Sequence, residues 1–107
     1  MDFKVLTAEF VQSVPGTDSF LSVKRHCLDL MKSDPQNAAA YFVIYGFARS
    51  YVILHDDEGI TPEVAGAAQA QLGAYMEAVG QALGDSNAVF EALNRIVIDY
   101  DLKRQLF

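Results

Sequence analysis

The chain has one cysteine, Cys27, no tryptophan, three prolines and only eight basic residues. A single cysteine excludes a disulfide within the chain, and with it the stapled frameworks of small secreted domains. Eight bases against 14 acids give a formal net charge of −6. No basic stripe is available to displace phosphate counterions, so direct nucleic-acid binding is not expected. An anionic membrane surface is disfavoured on the same grounds. Phosphate-cradling glycine loops, a GxSxG turn, HExxH spacing and a diagnostic Cys/His pair are all missing. The expectation is a protein that is not an enzyme and that carries no cofactor and no metal.

Long apolar runs are scarce too. The longest, Ala38–Leu54, has seventeen residues, with only Gly46, Arg49 and Ser50 outside the hydrophobic set. It is short of the roughly 20 residues a bilayer needs, and Arg49 lies inside it. No membrane span is expected. The first residues, MDFKVLTAEFV, carry Asp2 and Glu9 and lack the apolar core of a signal peptide. A cytoplasmic address follows.

What the chain does have is 51% hydrophobic residues in 107, enough for a single core in one domain. The spacing predicts an all-α antiparallel bundle of four main helices plus a short N-terminal one. Thr7 is the expected cap of the first, with Leu6, Phe10 and Val14 on its apolar side. A second helix runs from Thr17 or Asp18 to about Ser33, its apolar face carrying Phe20, Val23, Cys27, Leu28, Leu30 and Met31. Asp34-Pro35 opens a central helix over about 36–57. Thr61-Pro62-Glu63 is an N-cap, an N1 proline and a first-turn acid, and starts a fourth helix reaching about Leu83. The last helix is expected from about Asn87 towards Phe107, with Val89, Phe90, Leu93, Ile96, Val97 and Tyr100 inward.

Ser33–Tyr41 is similar to the opening turn of a tetratricopeptide unit, but no second copy follows one repeat later, and the stretch reads as helix-start chemistry. Gly66, Gly73 and Gly80 stand seven apart on the fourth helix. Glycine inside a helix costs about 1 kcal/mol relative to alanine, so close packing along that line is one reading and a tolerated small-residue bias the other. His55-Asp56-Asp57-Glu58 is dense in possible ligands but lacks calcium-loop alternation, and reads as a solvated helix end needing a basic neighbour such as Lys24 or Arg25. Cys27, inside an apolar stripe, reads as a small core residue.

Two surfaces attract a functional reading. On the central helix Phe42, Gly46, Arg49 and Ile53 share one arc: an aromatic, an arginine and an aliphatic beside a glycine that permits close approach. The other reading of Arg49 is an internal ion pair with Asp29, Glu77 or Glu91. On the last helix Ile98, Leu102 and Leu106 form a second apolar line away from the core face, and the Ala67, Ala70, Ala74 and Ala78 side of the preceding helix is poor in charge. These seven residues, Phe42 to Leu106, are the expected partner-binding set. In size, acidity and helical make-up the chain resembles small helical bacterial inhibitors: quorum-sensing antiactivators of the QslA and TraM kind, which bind transcription factors, and toxin-immunity proteins. That resemblance is of class and transfers no individual residue. It implies an antiactivator or immunity type of regulator that sequesters a protein and forms a homodimer. The alternative is a small-molecule binder with a cavity lined by Tyr41, Tyr45, Tyr51, Tyr75 and Tyr100.

Overall fold

A computed structural model describes residues 1–56, 59–103 and 105–107. Among them the chain is all-α: α1 (Phe3–Gln12), α2 (Thr17–Ser33), a 3-10 turn (Pro35–Asn37), α3 (Ala38–His55), α4 (Pro62–Ala82) and α5 (Ser86–Leu102). The fold class and the order of the helices agree with the sequence pattern. Several boundaries do not.

α1 begins earlier than Thr7. The Asp2 carboxylate accepts from the Val5 backbone N–H at 2.9 Å, so Asp2 is the cap, and Phe3, Leu6 and Phe10 form the buried side. Thr7 sits inside the helix, where its hydroxyl donates to the Phe3 carbonyl. Val14 lies past the helix end and is exposed, because the chain has already turned at Ser13. α4 starts as expected, with the Thr61 hydroxyl accepting from Val64 N–H. Asp85 caps α5 by accepting from the Asn87 and Ala88 N–H groups. Caps of this kind hold about 1 kcal/mol each.

α5 stops at Leu102 rather than running towards Phe107. The chain then turns back, and Phe107 enters the core at 2% exposure. Its ring lies 5.3 Å from Phe47 and 5.7 Å from Tyr100, and the Tyr100 hydroxyl donates to the Phe107 main-chain oxygen. His55 Nε2, at the end of α3, is 2.9 Å from the Leu106 carbonyl. These contacts tie the last residues to the C-terminal end of α3.

α2 and α3 form the most extensive helix pair, and α1 lies across α2 and α4. Phe20 of α2 stacks on Tyr51 of α3 at 3.6 Å, with Phe10 of α1 edge-on to Phe20 at 5.1 Å. Ala65, Ala68, Leu72, Met76 and Val79 of α4 complete the core. The glycine line has a steric cause at one of its three positions. A Cβ on Gly73 would stand 2.9 Å from Val11 Cγ1, whereas one on Gly80 would make ordinary contact with the Phe3 ring at 3.7 Å. α1 therefore packs directly on the backbone of α4. At Gly66 nothing lies within 4 Å.

Candidate functional site

α3 sorts its apolar residues into two faces. Ala40, Tyr41, Ile44, Ala48 and Tyr51 are buried, and the spacing that places them inward turns Phe42, Gly46, Arg49 and Ile53 outward. Phe42 is 53% exposed and Ile53 62%. Leu54, on the flank of the same face, is also exposed, and Phe42 keeps one aromatic neighbour, Tyr45, at 5.7 Å. A Cβ on Gly46 would meet nothing within 4 Å, so the helix backbone is open to approach there. Among the described residues Arg49 makes no ion pair with Asp29, Glu77 or Glu91. It is an exposed cation surrounded by apolar side chains.

α5 departs further from expectation. Ala92 and Ile96 are buried, and Val89, Leu93 and Tyr100 pack partly on the core. Phe90 is 67% exposed and Val97 47%, so two residues read as inward face solvent. Ile98 and Leu102 are exposed as anticipated, Leu102 at 79%. Leu106 is not on their line. The helix has ended before it, and Leu106 packs partly buried beside the core. α5 thus exposes four large apolar residues, Phe90, Val97, Ile98 and Leu102, where the pattern offered Ile98, Leu102 and Leu106. The signal was present in the sequence: apolar residues occur on three sides of this helix, and one helix can bury only part of its girth. The Ala67, Ala70, Ala74 and Ala78 side of α4 is exposed as well.

The five tyrosines do not converge. Tyr41 donates to Asp34 at 2.6 Å and Tyr75 donates to Asp99 at 2.6 Å, while Gln71 Nε2 donates to the Tyr75 oxygen. Burial and the Asp99 carboxylate push the Tyr75 phenol up to about 12. Tyr51 is fully buried and its hydroxyl has no hydrogen-bond partner among the described residues; burial raises its pKa also. The groove of about 560 Å³ between α4 and α5 is lined by Tyr75 alone among the tyrosines, together with Gln81, Glu91, Arg95 and Asp99 over an alanine floor. A second groove, of about 430 Å³, has Tyr41 alone.

Cys27 is fully buried, and burial pushes its thiol up to about 12, as befits a core residue. His55 is engaged with Leu106, and Asp56 is exposed without an ion pair to Lys24 or Arg25. Asp57 and Glu58, the rest of that acidic stretch, lie outside the described residues. Among the described residues no group of three or more His, Cys, Asp or Glu side chains is placed to hold a metal. No helix among them is long and apolar enough to cross a membrane. Comparison with protein-family models, with curated proteins and with solved structures finds no match.

Proposed function

We propose that this protein is a non-enzymatic regulator that sequesters another protein through its apolar helix faces. The observation that carries the reading is the set of large apolar side chains left in solvent on α3 and α5: Phe42, Ile53, Phe90, Val97, Ile98 and Leu102. Aromatic and aliphatic anchors beside an arginine are the composition of interface hot spots. The excess of acids steers a basic partner into encounter. A transcription factor held by an antiactivator, or a toxin held by an immunity protein, is the partner class; the working form is a cytoplasmic homodimer.

The test is affinity purification of the tagged protein from its native cell extract, beside Phe42→Asp, Ile53→Asp and Leu102→Asp variants checked for folding by circular dichroism. One dominant stoichiometric partner is expected, lost or weakened in at least one folded variant. If all three variants fold and retain full biological activity, the reading is wrong. The small-molecule alternative rests on the α4–α5 groove, whose volume suits a ligand. Reproducible thermal stabilisation by one class of metabolite would favour it.

A further inference from the structure

α3 and α5 present their exposed apolar residues to the same side of the bundle. Phe47 of α3 lies 4.9 Å from Tyr100 of α5, which fixes the flank each helix turns to the other. Successive residues of a helix are about 100° apart. Counted from Phe47, the Phe42–Gly46–Arg49–Ile53 arc of α3 points outward, away from buried Ile44 and Ala48. Counted from Tyr100, Phe90, Val97 and Asp101 point outward on α5, away from Ala92 and from Asp99, which is bonded to α4 through Tyr75. The two helices run in the same direction. Phe3 touches both Tyr41 near the start of α3 and the Gly80 end of α4, which feeds α5; His55 and Leu106 meet at the other end.

The charges on this face are complementary between its two halves. α3 is the one α-helix of the five without an acid, and Arg49 is its single permanent charge. α5 carries Glu91, Arg95, Asp99 and Asp101, of which Glu91, Arg95 and Asp99 line the groove against α4 and Asp101 lies on the outward face. Asp99 is engaged with Tyr75 and Lys103, whereas Asp101 is exposed without an ion pair among the described residues. Placing α3 against α3 would bring arginine to arginine in the middle of an apolar contact. Placing α3 against α5 brings Arg49 level with Asp101 and Phe42 towards Phe90 and Val97. A two-fold axis does this twice at once, because both helices lie on the same face.

We propose that the shared outward face of α3 and α5 is a self-association surface, occupied by the same face of a second copy with α3 of each lying along α5 of the other. It deepens the homodimer in the proposed function and rests on that reading, leaving the Ile98–Leu102 side of α5 for a different partner. An 18-residue helix is about 27 Å long, and a neighbouring helix about 10 Å away doubles the footprint to roughly 500 Å². That is at the small end of specific interfaces, so the dimer dissociates in the micromolar range.

The experiment is sedimentation velocity of the full chain from about 1 to 200 μM, spanning the micromolar dissociation expected of so small an interface. Wild type should pass from monomer to dimer within this range. Arg49→Glu and, independently, Phe90→Ser should raise the dissociation constant at least tenfold, with unchanged circular dichroism. Combining Arg49→Glu with Asp101→Arg should restore much of the loss, whereas Leu102→Ser should leave self-association as it was. A wild type that stays monomeric throughout overturns the inference, as does a dimer indifferent to both Arg49→Glu and Phe90→Ser. Partner capture is scored separately by affinity purification, so a monomer that still retains its partner refutes this surface and leaves the sequestration reading standing.

Discussion

Replacing Gln69 by leucine should lower the unfolding free energy by about 2 kcal/mol. Gln69 is buried on α4, and its Nε2 donates to the Phe10 carbonyl at 2.7 Å and the Ser13 carbonyl at 2.8 Å. These are acceptors at the C-terminal end of α1, where a helix leaves carbonyls without internal partners. The Phe10 carbonyl has substitutes, since it also accepts from the Ser13 N–H and hydroxyl. The Ser13 carbonyl has no other protein donor among the described residues. Leaving such an acceptor unpaired costs about 1–3 kcal/mol, and losing the second bond adds about 1, partly offset by leucine's greater gain on burial. In a domain of this size the loss should lower the melting temperature by about 10 °C.

Gln69→Glu sharpens the test. It aims a carboxylate at two carbonyl oxygens, which raises its folded-state pKa above the ordinary value of about 4.3. A group whose folded pKa is raised loses stability as pH climbs through the unfolded value, so the deficit of Gln69→Glu should be larger at pH 7 than at pH 4. Urea unfolding followed by circular dichroism reads both variants. If Gln69→Leu unfolds at the wild-type midpoint with an unchanged slope, Gln69 is not what anchors α1 to α4.

Gly66→Ala should stabilise by about 1 kcal/mol, because the site is helical and open. Gly73→Ala should show no such gain while Val11 Cγ1 stands 2.9 Å from the new carbon, and Val11→Ala should restore it; urea midpoints of the four proteins decide. Tyr51→Phe keeps the 3.6 Å stack on Phe20 and removes a buried hydroxyl that has no partner among the described residues. Its melting temperature should equal or exceed that of wild type, and a fall of more than a few degrees would reveal a partner for the hydroxyl. Hydrogen bonds from Tyr41 and Asn37 hold the Asp34 carboxyl below its usual range. Its stabilisation is therefore present above the unfolded carboxyl value and lost as pH falls through the lowered one. Urea midpoints of wild type should drop more steeply between pH 5 and 3 than those of Asp34→Asn, and parallel curves would contradict this.

The amino-acid sequence by itself determined the all-helical class, the order of the helices and the Thr61 start. These are local matters: a cap bonds N–H groups two or three residues away, and a single apolar stripe can face only one way. It also determined the outward arc of α3, since Phe42, Gly46, Arg49 and Ile53 stand opposite the residues that any core must take. Tertiary structure alone decided the rest. α5 carries apolar residues on three sides, and only the positions of α3 and α4 select Ile96 and Ala92 for burial and leave Phe90 and Val97 in water. Local pattern gave Leu106 a place on the helical line, but the aromatic cluster of Phe20, Phe47 and Tyr100 draws Phe107 back into the core and so ends α5 at Leu102. Gln69 reads as a polar surface residue until the end of α1 is laid beside it. The physical reason is the same in each case: which of several competent faces is buried depends on what is packed against it, and that neighbour is distant in the chain.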